Sequence, residues 1–279
     1  MTKPGCNKAV ILAAGGGSRI RSLTTGRPKC LMDLGGRPII EWIFDALRNG
    51  GIEEVVMVTG FEAQVLRRAL GNGRKYDLRL RYVHNPRWTE PNGISLLAAR
   101  RALRPDDTFL TVMSDHLLPA GIIKTVAGAV SACCVLAVDT RISEVLDLSD
   151  ATKVRIIDGV PAAIGKKLRK YNAVDCGLFR FDRRVFAALE SAVGSGRKSL
   201  TEAVKILIAG GDLDVLPIGG DVFWIDIDTP KAYRQAARMV NRLAAGYDGK
   251  YRIGKTGWNR RQSTLGRAGG AAKSRRKDD

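Results

Sequence analysis

The chain has no apolar run approaching the roughly 18–20 residues that span a bilayer, and its first apolar stretch, Ala9–Ala14, runs straight into glycines. That stretch is too short for a secretory signal core, so the expected setting is cytoplasmic. Histidine is scarce, with only His84 and His116, far apart in sequence. The five cysteines, Cys6, Cys30, Cys133, Cys134 and Cys176, contain no Cys-x-x-Cys pair. Zinc-ligand spacing and a disulfide framework are therefore not expected, and free, mostly buried thiols are. Acidic residues are outnumbered, which gives a net charge of +18. The excess is uneven: residues 250–279 carry ten Lys or Arg against two Asp, a net of +8, and leave +10 for the rest. A modestly basic body suits a polyphosphate substrate.

A length of 279 residues suits one large α/β domain or two small ones and can build a core without a staple. Lys8–Ala13, Glu54–Thr59, Leu78–His84 and Thr108–Ser114 read as strands. Between them, Pro38–Asn49, Glu62–Leu70 and Ser95–Leu103 have helical apolar spacing. Strand alternating with helix predicts parallel strands joined by crossovers. From about Asp150 the rhythm changes. Lys153–Ile157 and Val160–Ile164 flank Asp158-Gly159, a hairpin turn signal. Asp175–Phe181 follows as a strand, and Arg183–Ser191 and Ser199–Ile208 as helices, the last with Ser199 and Glu202 spaced as a capping box. Val222–Ile227 reads as a late strand returning to the same sheet, and Thr229-Pro230 opens a final helix to about Ala245. The expected fold is α/β, a doubly wound, mostly parallel, Rossmann-like sheet with a small mixed β insertion. It forms one domain over residues 1–248, followed by a basic disordered tail over 249–279.

Ala13–Arg19 follows a buried strand directly, where ligands of open α/β sheets bind. Consecutive glycines let backbone N–H groups approach a phosphate, and Arg19 adds a forked, permanent cation. Two common phosphate loops do not fit. A Walker loop needs Gly-Lys-Ser/Thr where Gly17-Ser18-Arg19 stands, and a dinucleotide loop needs glycine where Ile20 stands. Alone, the segment could equally be a flexible surface turn.

Three segments together say more: Leu12–Ile20 (LAAGGGSRI), Arg27-Pro28-Lys29-Cys30-Leu31 and Gly35–Ile40. They resemble the opening of the sugar-phosphate nucleotidylyltransferase superfamily, with its nucleotide-diphospho-sugar transferase-like fold. The resemblance implies that Leu12, Ala13, Ala14, Gly15, Gly16, Gly17 and Arg19 bind the nucleoside triphosphate and that Lys29 reaches the reacting α-phosphate. Transfer of this kind needs in-line positioning and charge neutralisation rather than covalent chemistry from the protein. The flanking proline stiffens the loop that carries Lys29, against the reading of a solvated loop lysine.

The resemblance also implies Mg2+, held by Asp115 at the end of the fourth strand and by Asp226 or Asp228 in Trp224–Pro230, which alternation puts on one side of a strand. Asp228 could instead cap the final helix. Ser114-Asp115 stands where the family usually has Gly-Asp. His116 needs no base role, because an acceptor phosphate dianion is already a nucleophile, and packing or hydrogen bonding is expected of it. Asn92-Gly93-Ile94-Ser95 resembles the base-reading segment of the cytidylyltransferase branch, which includes inositol-1-phosphate and phosphocholine enzymes. Asn92, Gly93 and Ser95 are the implied base contacts, whose amide and hydroxyl groups suit a pyrimidine edge. The alternative for Asn92 is a helix cap. Asp150–Leu168 and Tyr171–Phe179 resemble the inositol-1-phosphate cytidylyltransferases more than other relatives, except that Cys176 stands where Thr is expected. Lys166 would then face the acceptor phosphate as a catalytic cation, while Asn172 and Asp175 would bind acceptor hydroxyls.

The implied reaction joins CTP to a small phosphorylated polyol, with a separate membrane phosphatidyltransferase as a candidate consumer of the product. Rivals are a sugar-1-phosphate or phosphocholine transferase and a non-catalytic regulatory subunit. Lys273, Arg275, Arg276 and Lys277 could touch an anionic surface, but the tail has little aromatic interleaving and no specific nucleic-acid partner is expected.

Overall fold

The computed structural model describes residues 6–20, 24, 26–219 and 223–244, with side chains as far as Val240. The tail over 249–279 and the first residue of the late strand lie outside them. Strands β1 (Lys8–Ala13), β2 (Glu54–Thr59), β3 (Arg79–His84) and β4 (Phe109–Met113) are parallel to one another. Beyond β4 lie β9 (Ala173–Phe181), β6 (Cys134–Asp139) and β10 (Leu213–Ile218), giving the order β10-β6-β9-β4-β1-β2-β3. Along this path only β9 runs antiparallel to its neighbours. The hairpin of β7 (Lys153–Ile157) and β8 (Val160–Gly165) branches from β9, and its Asp158-Gly159 turn closes the pair Ile157–Val160.

The central strands β1, β2, β4 and β6 are almost wholly apolar because both faces are covered, whereas edge strand β3 alternates with exposed Arg79, Arg81 and His84. Ala9, Ile11 and Ala13 of β1 point to one core, and Val10 and Leu12 to the other. The first core is closed by α1 (Ile39–Asn49), α2 (Ala63–Leu70), α4 (Ala120–Ala127) and α7 (Pro230–Ala244). The second is closed by α3 (Asn92–Ala99), α5 (Arg184–Gly194) and α6 (Leu200–Ala209). Ser199 caps α6 by accepting from the Glu202 N–H at 3.3 Å. Among the described residues, no helix is long and apolar enough to cross a membrane.

One expectation is overturned. The late strand does not rejoin the main sheet. Only β11 (Ile225–Asp226) is extended, and it pairs antiparallel with β5 (His116–Leu117) in a separate two-stranded ribbon. The ribbon leaves Asp226 and Asp228 at the sheet's rim, beside His116 and Lys29, rather than between apolar strands. The Ile227 N–H donates to the Asp115 carbonyl at 3.0 Å and fixes the segment across the end of β4.

A second local feature aims a site residue. The β6–β9 register breaks between Leu136–Phe179 and Val138–Asp175, so β9 bulges there. Gly177 in the bulge has φ +71°, its N–H donates to Asp175 at 2.7 Å, and an added Cβ would lie 2.5 Å from the His116 ring. Gly177→Ala therefore meets both backbone strain and a clash. Its unfolding free energy is expected to fall by about 2 kcal/mol, read as a lower urea midpoint at unchanged slope; an unchanged midpoint contradicts this account of the bulge.

Candidate active site

The carboxyl ends of β1 and β4 are neighbours, which sets the glycine segment beside Asp115. Two cavities meet there. The first, about 560 Å³, is lined by Leu12, Ala13, Ala14, Gly15, Gly16, Gly17, Arg19, Lys29, Asn92 and Ser95, with Phe61 and Trp88. The second, about 620 Å³, takes in Asp139, Arg141, Lys166, Asp175 and Asp226. Arg19, Asn92, Asp115 and Asp228 line both. Of the residues expected from sequence, the glycine segment, Lys29 and Ser95 line the first cavity only, Lys166, Asp175 and Asp226 the second only, and Arg19, Asn92, Asp115 and Asp228 stand where the two meet.

Lys29 lines the first cavity and is bonded to two of the residues shared by both. A short 3₁₀ turn, Lys29–Leu31, buries it, and its Nζ bonds Asp115 Oδ2 at 2.7 Å and Asp228 Oδ1. Burial alone would lower the lysine's pKa, but the two carboxylates outweigh it and raise it. Arg19 pairs with Asp228 and, at 2.5 Å, with Asp150, whose other oxygen takes Lys166 at 2.7 Å. On the far side of Asp115, His116 Nδ1 lies 2.9 Å from Asp115 Oδ1 and 3.8 Å from Asp226 Oδ1, and its ring stacks on Trp224. Burial disfavours its charged form, yet Asp226, Asp115 and Asp175 together push its pKa up to about 9. Despite burial, Lys29 and His116 hold Asp115 well below the usual carboxylate range. Burial, with repulsion from Asp115 and Asp228, pushes Asp226 up to about 7. Burial also lifts Asp175 to about 6 against the Gly177 N–H and His116.

Some expected site residues are engaged elsewhere. The Asn172 amide is bonded at both ends to the backbone of Ile156, at 2.8 and 2.9 Å, and lines neither cavity. It staples the hairpin rather than facing the acceptor side. Gly93 lines neither cavity; an added Cβ would meet the Lys198 carbonyl at 2.5 Å, so this glycine permits the close approach of α3 to the start of α6. Asn92 reaches both cavities, but its Oδ1 accepts from the Leu200 N–H at 3.0 Å and satisfies an end donor of α6. Ser95 is buried and accepts from Asn85 at 3.0 Å. Asp228 caps nothing; Thr229 Oγ1 takes the Ala232 N–H at 3.1 Å.

The sequence reading missed Asp150, Asp139 and the Phe61–Trp88 pair. Buried Asp139 ends β6 and accepts from Trp224 at 2.9 Å and from Arg141. The apolar run ending at Asp139 is a legible strand signal, whereas the Arg19 contact of Asp150 joins positions 131 apart in sequence. The residues present fit a divalent cation. Asp226 Oδ1 is buried with no hydrogen-bond partner, and the Lys29 ammonium fills the niche between Asp115 and Asp228 as a cation would. Asp115, His116 and Asp226 also bring ligand atoms within 4.8 Å of one another.

The model of the MobA-like NTP transferase domain matches residues 9–207. The chain belongs to this nucleotidyltransferase family. It is 35% identical over 244 residues to the bifunctional IPC transferase and DIPP synthase of Rubrobacter xylanophilus, covering 86% of this chain and 54% of that one. The protein of the same name in Aquifex aeolicus is 30% identical over 240 residues, covering 85% and 52%. The chain thus spans about half the length of these curated relatives. In fold it is similar to the inositol-1-phosphate CTP transferase from T. maritima, with TM-score 0.74, 23% identity, and coverage of 85% of this chain and 97% of that one.

The contact between Asn92 and Leu200 is structural whatever else Asn92 does. Asn92→Ala is expected to lose about 1 kcal/mol of stability. Chemical unfolding tests this, and a variant as stable as wild type would remove the capping role.

Proposed function

We propose that the protein transfers CMP from CTP to inositol-1-phosphate, giving CDP-inositol and pyrophosphate. The observation that carries the reading is that two cavities meet at Asp115 and Asp228, the carboxylates that share the Lys29 ammonium. One cavity has the backbone-rich lining that suits a triphosphate, and the other has Lys166 and a set of carboxylates that suit a phosphorylated polyol. The relatives named as IPC transferases and the fold neighbour named as an inositol-1-phosphate CTP transferase favour this acceptor.

In this reading an acceptor phosphate oxygen attacks the α-phosphorus in line, and the bond to the β-phosphate oxygen breaks as pyrophosphate leaves. Gly15, Gly16 and Gly17 offer N–H groups to the triphosphate, and Arg19 neutralises its oxygens. Lys29 neutralises charge developing on the α-phosphate. Lys166 holds the acceptor phosphate. Asp175, whose pKa is raised, faces the polyol hydroxyls from the β9 bulge. Asp115 and Asp228 line both cavities and are the pair that would hold Mg2+, with Asp226 as a third carboxylate on the acceptor side. The ion, when bound, screens the phosphate oxygens and polarises the α-phosphate. The domain reading is a transferase unit over residues 1–248 and a separate basic segment over 249–279, in a cytoplasmic setting, with the product passing to a membrane phosphatidyltransferase.

A second reading, a sugar-1-phosphate nucleotidylyltransferase, is favoured by relatives such as the glucose-1-phosphate thymidylyltransferase of Streptomyces griseus, 28% identical over 247 residues. Pyrophosphate release over the four ribonucleoside triphosphates and dTTP, each against inositol-1-phosphate, phosphocholine and glucose-1-phosphate, separates the two. The CTP and inositol-1-phosphate pair is expected to exceed all others; silence there with turnover of a sugar-1-phosphate transfers the assignment to the second reading. Lys29→Ala is expected to lose roughly 10²–10³-fold in kcat. It also removes the ammonium that Asp115 and Asp228 share, so Mg2+ should raise its Tm more than that of wild type. Equal Mg2+ effects on both proteins would take Lys29 out of the carboxylate niche.

A further inference from the structure

Asp150 links Arg19, which lines both cavities, to Lys166 of the second. Oδ2 holds Arg19 at 2.5 Å and Oδ1 holds Lys166 at 2.7 Å. Hydrogen bonding to Lys166 and Arg19 keeps its pKa below the usual aspartate value, so it is charged throughout the neutral range. Its position is built rather than accidental. The turn before β7 is pinned by Asp147, whose Oδ1 accepts from Ser149 Oγ at 2.7 Å and from the Asp150 N–H at 3.4 Å. Lys153 Nζ then grips the Ser149 carbonyl at 2.9 Å. The turn therefore presents Asp150 at the junction with little freedom of its own.

On the reading above, Arg19 serves the triphosphate and Lys166 the acceptor phosphate. Asp150 occupies both with one carboxylate. We propose that Asp150 is a positioning residue that stands in for phosphate between Arg19 and Lys166: the donor triphosphate must displace it from Arg19, and it then holds Lys166 over the acceptor cavity. This inference rests on the assignment of the glycine-lined cavity to the triphosphate. It explains why two exposed cations, both about half accessible, are not left free to bind any passing anion. Pairs this exposed contribute little each, so the expected effects are few-fold rather than large.

The two roles have opposite signs, which distinguishes them from a merely structural one. In Asp150→Asn, Arg19 loses a competitor and CTP should bind roughly two- to fivefold more tightly. Lys166 loses its anchor, and the KM for inositol-1-phosphate should rise by a similar factor. CMP, which lacks the β- and γ-phosphates, should bind unchanged. Glu144→Gln removes the same charge from the same cavity without touching Arg19 or Lys166 and should leave CTP affinity as it is. Calorimetric titrations of the full chain with CTP and with CMP, each with Mg2+, together with initial rates, read all four quantities; Asp150→Ser stands in if the Asn variant is unstable. Wild type that binds no CTP overturns the donor reading and this inference with it. Wild type that binds CTP while the variant binds it no tighter overturns this inference alone. So does equal tightening in Glu144→Gln, which marks a general charge effect, or an acceptor KM that falls along with that for CTP.

Discussion

The ammonium of Lys29, shared between Asp115 and Asp228, is the interaction on which the rest of the site depends. Two strand ends and one late segment bring carboxylates together where water is scarce. Such a cluster is stable only if cations share it. Lys29 takes one pair, His116 bridges Asp115 and approaches Asp226, and Arg19 reaches Asp228 and Asp150. The cations a polyphosphate would use are each paired with side-chain carboxylates, so on the proposed reading binding is an exchange of partners rather than a simple capture.

The fold serves this arrangement by topology. β1 and β4 are neighbours, so the glycine segment and Asp115 emerge side by side. The β5–β11 ribbon then carries Asp226 and Asp228 back across the same rim. A longer strand pairing in the main sheet would have taken these carboxylates into the apolar core. β9, antiparallel among parallel neighbours, supplies Asp175 from a bulge. Each acidic group of the site thus comes from a place where regular pairing stops.

How much of this could be read from the sequence follows from how local each feature is. Lys8–Ala13 and Glu54–Thr59 match their strands residue for residue, because continuous apolar runs between turn signals report burial on both faces. Asp158-Gly159 and the Ser199–Glu202 cap also read correctly, being short-range chemistry. The failures are long-range. Nothing in Val222–Ile227 says that it pairs with two residues after β4. Nothing around Asn172 says that its amide is taken by Ile156 across the hairpin, and Asp150 shows its reach only once Arg19 is beside it. Motif resemblance picked out cations and carboxylates that the fold brings together; it did not show what each is bonded to.

On the proposed reading, an acceptor phosphate in one cavity attacks the α-phosphorus of CTP in the other. Phosphorus NMR of the reaction with inositol-1-phosphate carrying ¹⁸O in its peripheral phosphate oxygens tests it most directly. The prediction is a CDP-linked product with ¹⁸O in the bridge between its phosphates and pyrophosphate free of label. Label in the pyrophosphate, or release of pyrophosphate with no diphosphate-linked product, contradicts it.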